Sequence, residues 1–84
     1  MLTVSVISAE ATVFEGQANS VVAPAFDGEV GILTGHAPMI TALGQGTLRV
    51  EQSGDTLRFS VAGGFLQVVD NQVRVVTERA SINR

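Results

Sequence analysis

The chain has 84 residues, 45% of them hydrophobic, and carries five Arg, no Lys, eight acidic residues and a formal net charge of −3. This length suits one small domain with a modest core, and we predict that residues 1–84 form it. The acidic balance and the lack of a basic cluster argue against binding to nucleic acid or to anionic lipid. Because the chain has no Cys, a disulfide framework is excluded.

Alternation of apolar and polar residues, which is typical of strands with one buried face, begins at the N-terminus. The run Leu2–Ser8 alternates until Ser8 interrupts the apolar set, which predicts the end of a strand there. Glu15-Gly16 predicts the next break in the chain.

The segment Phe26–Leu43, F-D-G-E-V-G-I-L-T-G-H-A-P-M-I-T-A-L, differs from its surroundings because it holds the only His and one of the two Pro. We expect the chain to turn sharply at least twice here, because positive φ or close backbone approach is open to three glycines, Gly28, Gly31 and Gly35. The predicted result is a rigid loop–strand–loop with Glu29 and His36 near its tips. Such a geometry suits recognition of a partner, although the same residues also occur in ordinary turns.

Further strands follow. Asp27-Gly28 and Gly44-Gln45-Gly46 are predicted breaks, and Ser53-Gly54-Asp55 is predicted to join strands 47–51 and 56–62 as a hairpin. Asp70-Asn71 has the composition of a two-residue hairpin loop, since both residues tolerate positive φ. It separates runs 65–69 and 72–77, which are apolar on both faces, so we expect this pair to be covered on two sides.

Strands recurring roughly every 8–12 residues, without a sustained helical stripe, predict an all-β sandwich or barrel. Phe is usually buried, so we expect all four aromatic residues to fill the core: Phe14, Phe26, Phe59 and Phe65. The chain has no Tyr or Trp, which argues against the alternative of a carbohydrate-binding sandwich module.

An enzyme is not expected from this inventory of residues. His36 has no second His or converging carboxylate pair nearby in sequence, and no Ser has the spacing of a nucleophile elbow. A zinc site would have to recruit carboxylates, and no Lys exists to complete a phosphate-binding loop. We therefore predict no catalytic residue, no metal and no cofactor, and function through a binding surface.

Three motifs occur in order: G-E-V-G-I-L-T-G-H-A-P, then T-A-L-x-x-G-T-L-R-V, then A-G-G-F-L-Q-V. Together they resemble the epsilon subunit of F-type ATP synthases, called delta in mitochondria, and the opening V-I-S-A-E-A-T-V-F-E-G is similar to its first strands. The resemblance runs from about Leu2 to about Ala80. It implies the N-terminal domain of that family, a flattened antiparallel β-sandwich of about ten short strands.

The family's function implies a non-catalytic rotor role. There the domain lies at the foot of the central stalk, docks the gamma subunit to the c-subunit ring, and so couples ion translocation to ATP synthesis. The resemblance implies one copy in a hetero-oligomeric complex, peripheral on the cytoplasmic face of the inner or plasma membrane. No apolar stretch approaches the ~20 residues that cross a bilayer and no signal peptide is recognised, so we expect a soluble domain without direct membrane insertion.

Family members usually continue into two C-terminal helices that inhibit ATP hydrolysis and, in some members, bind nucleotide. Because this sequence stops at Arg84, we expect neither property here. Regulation of hydrolysis by the sandwich alone is the alternative function.

The resemblance implies two contact surfaces, carried over residue by residue. The predicted c-ring contact comprises Gly28, Glu29, Gly31 and Ile32, and the predicted gamma contact comprises Ser8, His36, Pro38, Met39, Ile40 and Thr41. Glu29 either accepts hydrogen bonds from the ring or is a solvated turn carboxylate. His36 either donates to a partner or holds its own loop by bonding a nearby carbonyl.

Three apolar residues in these sets have competing interpretations. Core burial is slightly preferred over contact for Ile32 and Ile40, whereas Met39 is the better interface candidate because Met adapts to irregular surfaces. Gly63-Gly64 is predicted to permit a bulge or a tight strand crossing.

Overall fold

The computed structural model describes residues 1–83, and Arg84 of the predicted domain lies outside the described residues. The described residues form ten strands and no helix, which confirms the predicted all-β fold. The strands are β1 (Leu2–Ile7), β2 (Thr12–Ala18), β3 (Ser20–Ala25), β4 (Gly28–Leu33), β5 (Met39–Ala42), β6 (Gln45–Gln52), β7 (Asp55–Ala62), β8 (Phe65–Val69), β9 (Gln72–Val76) and β10 (Arg79–Asn83).

Two five-stranded sheets make up the sandwich. Sheet one has the order β2-β1-β9-β8-β5 and sheet two the order β10-β7-β6-β3-β4. All paired neighbours are antiparallel except β1 and β9, which pair in parallel. This exception was not predicted. Parallel pairing requires a long connection between the two strands, and the chain between β1 and β9 provides one.

The core lies between the sheets and follows the alternation read from the sequence. In β1, Leu2, Val4 and Val6 are fully buried, while Thr3 faces solvent. The buried apolar side chains are Leu2, Val4, Val6, Ala18, Val21, Ala23, Ile32, Leu43, Leu48, Val50, Phe59, Val61, Leu66, Val68, Val73 and Val75.

The two predicted hairpin turns are present. Asp70 and Asn71 have φ values of 49° and 62°, so they supply the left-handed conformation that a two-residue hairpin loop needs. The other hairpin turns at Ser53-Gly54, where Gly54 has a φ of 75°. Its strands are longer than predicted, so Asp55 pairs with Gln52 instead of belonging to the turn.

The predicted break at Glu15-Gly16 is wrong, and the one at Gly44-Gln45-Gly46 is confined to its first residue, because Gly16 and Gly46 make space within strands. Gly16 lies inside β2, and a Cβ on it would come within 3.0 Å of the Phe14 ring. Gly46 lies inside β6, where a Cβ would meet the Pro24 ring at 3.0 Å, and the chain break comes before Gln45. Glycine inside a strand commonly marks such a close approach.

The prediction that all four Phe fill the core is wrong for two of them. Phe59 is fully buried and Phe14 packs against the core, but Phe26 is 69% exposed and Phe65 is 37% exposed. The expected cover on both faces of β8 and β9 is also absent within residues 1–83. Each sheet of a two-layer sandwich has only one buried face, so Phe65 and Val69 on β8 face outward.

The crossing from sheet one to sheet two runs past Gly64, as predicted for the Gly63-Gly64 pair. Gly64 has a φ of 102°, and a Cβ on it would lie 1.9 Å from the Val76 carbonyl oxygen. Thr77, the buried polar residue next to it, accepts a bond from the Ala62 N–H, and its hydroxyl lies 3.1 Å from the Ala62 carbonyl oxygen. These contacts fix the corner where β9 leads into β10.

Candidate functional site

Segment 26–43 forms the loop–strand–loop that the sequence predicted. Phe26 and Asp27 form a two-residue turn between β3 and β4, and Gly28 follows with a φ of 129°. At the other end of β4 the chain turns at Gly35, whose φ is 86°. Gly31 does not turn the chain, because it lies within β4 and has no positive φ.

The predicted c-ring residues occupy β4 at one edge of sheet two. Gly28, Glu29 and Gly31 are exposed, so they are available to a partner. Ile32 is fully buried in the core. Its inclusion in the contact is therefore a misassignment, because its side chain alternates to the inner face of the sheet, and the competing interpretation of core burial is correct.

His36 holds its own loop. Its main-chain N–H donates to the Leu33 carbonyl at 3.1 Å, and the ring atom Nδ1 lies 2.7 Å from the Ala37 carbonyl oxygen. The preceding N–H, of Gly35, donates to Oδ1 of Asn71 at 2.7 Å, which ties this loop to the β8–β9 turn. These bonds favour the local clamp among the two predicted roles of His36.

The gamma candidates on β5 divide between the two faces of sheet one. Met39 is half-buried against the core, and Thr41, on the same face, is also half-buried. Ile40 points outward and is 68% exposed, and Pro38 before it is exposed. The preference for core burial of Ile40 is thus wrong, and Ile40 replaces Met39 as the better apolar candidate for an interface.

Ser8 lies apart from His36. Its N–H donates to the Ala11 carbonyl at 2.9 Å, and its Oγ donates to the same oxygen at 3.2 Å, so Ser8 closes the β1–β2 turn. The β1–β2 turn lies at one end of sheet one, where the Thr77 N–H donates to the Ile7 carbonyl. The His36 loop lies at the opposite end, where the Gly35 N–H donates to the Asn71 side chain. The predicted gamma residues are therefore not one compact patch.

Exposed apolar side chains that the sequence assignment missed extend both candidate surfaces. Phe26 and Leu33, which is 65% exposed, flank β4 at its two ends. On sheet one, Phe65 and Val69 lie on the same outer face as Ile40; we call these three residues the apolar face. Strict alternation would have indicated that Leu33, Phe65 and Val69 are exposed, because each is next to a buried strand residue. The F-D-G turn would likewise have indicated that Phe26 is exposed.

Within residues 1–83, no three His, Cys, Asp or Glu side chains converge to hold a metal ion. A shallow depression of about 340 Å³ on sheet two is lined by both polar and apolar residues, among them Thr47, Val61 and Arg79. None of the described elements is a helix that could span a membrane.

Comparison with known proteins identifies relatives over nearly the whole chain. A family model described as "ATP synthase, Delta/Epsilon chain, beta-sandwich domain" matches residues 1–83. An ATP synthase epsilon chain of Synechococcus sp. (strain JA-2-3B'a(2-13)) is 46% identical over 79 residues, which cover 94% of this chain and 58% of the relative. The epsilon chain of Desulforamulus reducens is 44% identical over 75 residues, which cover 89% of this chain and 57% of the relative. The chain thus spans somewhat more than half the length of these relatives.

Two solved assemblies contain chains with the same fold. One is the Euglena gracilis mitochondrial ATP synthase, OSCP/F1/c-ring, with a TM-score of 0.90 at 24% identity over 96% of this chain and 52% of that chain. The other is the central stalk and c-ring of the Tetrahymena thermophila mitochondrial ATP synthase, with a TM-score of 0.78 at 16% identity over 95% of this chain and 65% of that chain.

Proposed function

The chain belongs to the delta/epsilon family of ATP synthase β-sandwich domains, and on this premise we propose that it docks the gamma subunit to the c-ring in the rotor of an ATP synthase. In this role it would help couple ion translocation to ATP synthesis without catalysing a reaction. Its place would be peripheral to the membrane, on the side that carries the catalytic head, and it would be held there by its partners.

The distribution of exposed apolar side chains carries this proposal. Phe26, Leu33 and Ile40 are each more than 60% exposed, and all three lie in segment 26–43. They do not form one patch, since Phe26 and Leu33 lie at the two ends of β4 and Ile40 lies on the outer face of sheet one. Segment 26–43 is also the segment that holds the family motif, so the motif and the exposed surface coincide.

A domain with two separate binding surfaces can connect two partner subunits. Glu29 and Gly31 lie on the β4 edge of sheet two, while the apolar face lies on sheet one. We assign the β4 edge to the polar loops of the c-ring and the apolar face, with Pro38, to gamma. Both sheets pack on a single core, so a load applied at one surface is transmitted to the other without a flexible joint.

Co-purification tests the proposal. The chain should form a complex with gamma that survives gel filtration at micromolar concentration, and a gamma–c-ring assembly should retain it. Head ATPase activity measured with and without the chain should change little. Absence of any complex with gamma or the ring would overturn the docking role, and strong inhibition of the head would instead favour the regulatory alternative.

A further inference from the structure

The main chain of β4 presents free hydrogen-bonding groups at the edge of sheet two. β4 is the last strand of that sheet, and its only paired neighbour within residues 1–83 is β3. In the register between them Pro24 lies opposite Glu29. The Pro24 carbonyl accepts a bond from the Gly44 N–H at 2.8 Å, so the main chain of Pro24 faces away from β4.

Because the Pro24 carbonyl points away from β4, the directions of the N–H and C=O groups along β4 can be assigned. In an antiparallel pair, residues alternate between those that exchange both bonds with the facing strand and those that exchange none. Glu29, opposite Pro24, therefore belongs to a pair without bonds. Its N–H and C=O point outward, as do those of Gly31, whereas Val30 and Ile32 bond to β3.

This edge lacks most features that block pairing with another chain. Natural proteins protect edges with short strands, proline, bulges or charges. Both edge strands of sheet one have such features: β5 is only four residues long and follows Pro38, and the pairing of β2 with β1 contains a bulge. β4 has six residues in unbroken register, and a Cβ on Gly31 would meet nothing within 4 Å. Only the Glu29 carboxylate discourages an unsuitable neighbour.

We propose that β4 binds the c-ring through its main chain, with the outward N–H and C=O groups of Glu29 and Gly31 pairing with an extended stretch of an exposed ring loop. Free peptide groups in strand geometry are complementary to another extended peptide, which is why we assign the occupant as a polypeptide segment. The Glu29 carboxylate then favours a ring segment that places a hydrogen-bond donor or a basic side chain next to this carboxylate. This inference rests on the proposed function, since it names how the ring contact is made.

The matched pair Gly31→Pro and Gly31→Ala tests this mode of binding. Proline removes the outward N–H, and an edge strand tolerates proline where that N–H faces solvent. Alanine keeps the N–H and has room for its Cβ. We expect Gly31→Pro to weaken binding to a gamma–c-ring assembly about tenfold, the equivalent of one lost hydrogen bond. Gly31→Ala should lose far less affinity for the ring than Gly31→Pro, and both variants should still bind gamma alone.

Amide hydrogen exchange of the unmodified chain provides a second test that does not depend on the folding of a variant. The amides of Glu29 and Gly31 should exchange fast in the free domain and slowly in the ring complex, while Val30 and Ile32 stay protected in both. Equal ring binding by the two Gly31 variants, or unchanged exchange at Glu29 and Gly31, would overturn the inference. Protection on addition of gamma alone, or on self-association, would overturn the assignment to the ring. If the unmodified chain does not bind the ring at all, the proposed function itself fails.

Discussion

The rings of Phe14 and Phe59 lie with their centroids 5.7 Å apart and their planes at 51°. Phe14 belongs to β2 of sheet one and Phe59 to β7 of sheet two, so this pair joins the two layers of the sandwich. Tilted aromatic contacts at this separation add to the free energy gained by burial alone. The pair therefore helps to hold the two sheets together as one body.

Replacing Phe59 should destabilise the domain severely. Phe59→Ala removes the largest fully buried side chain, and we expect the free energy of unfolding to fall by about 3–5 kcal/mol. Urea denaturation followed by circular dichroism measures this. Phe26→Ala is the control, because Phe26 is 69% exposed and should cost little. Equal stability of the two variants would contradict the assigned core.

The corner at Gly64 should not accept a side chain. For Gly64→Ala we expect a loss of about 2–5 kcal/mol in the free energy of unfolding, from the clash with the Val76 carbonyl and the positive φ together. Gly54→Ala is the matched control, because Gly54 also has a positive φ but has open space around it. Its cost should be about 1–2 kcal/mol from backbone strain. Thermal melting compares the two, and similar losses would show that the crossing is not tight.

The apolar face should contribute to gamma binding without supporting the fold. We expect Ile40→Ser to weaken binding to gamma about tenfold, as for removal of an apolar anchor from the centre of an interface, with an unchanged melting temperature. Ile82→Ser is the control, because Ile82 is 46% exposed on β10, at the edge of sheet two away from β4. Isothermal titration with gamma measures both. An equal effect of the two substitutions would place gamma elsewhere.

Glu29 should matter for coupling and not for stability. We expect Glu29→Arg to weaken association with the c-ring and to lower ion-coupled ATP synthesis in the assembled enzyme. The free energy of unfolding should stay within about 0.5 kcal/mol, since Glu29 is exposed. Glu15→Arg on β2, also exposed, controls for the change in charge. A large fall in melting temperature for Glu29→Arg would show a structural role instead.

Local patterns in the sequence were sufficient to predict most of the strands. Alternation depends only on which face of a strand is buried, so Leu2, Val4 and Val6 could be assigned to the core from their spacing. The Asp70-Asn71 loop could be predicted for a similar reason, because two residues that tolerate positive φ separate two apolar runs.

Features that depend on distant partners could not be predicted in this way. Glu15-Gly16 has the composition of a turn, and only the structure shows that the Phe14 ring fills the space beside Gly16. Sequence gives no direct sign that β1 pairs in parallel with β9. Met39 and Ile40 are adjacent apolar residues at the start of a short edge strand, so no alternation decides which of them faces inward. Their exposures were therefore exchanged in the prediction.

In the proposed arrangement one rigid domain contacts two partners through two different surfaces, and cross-linking can identify the partner at each surface. The sequence contains no Cys, so Glu29→Cys or Ile40→Cys introduces a single reactive thiol into this chain. In an assembled gamma–c-ring rotor, a short bifunctional cross-linker should join position 29 to the ring subunit and position 40 to gamma, while Ile82→Cys should join neither. Cross-links from both positions to the same subunit, or to none, would contradict the account.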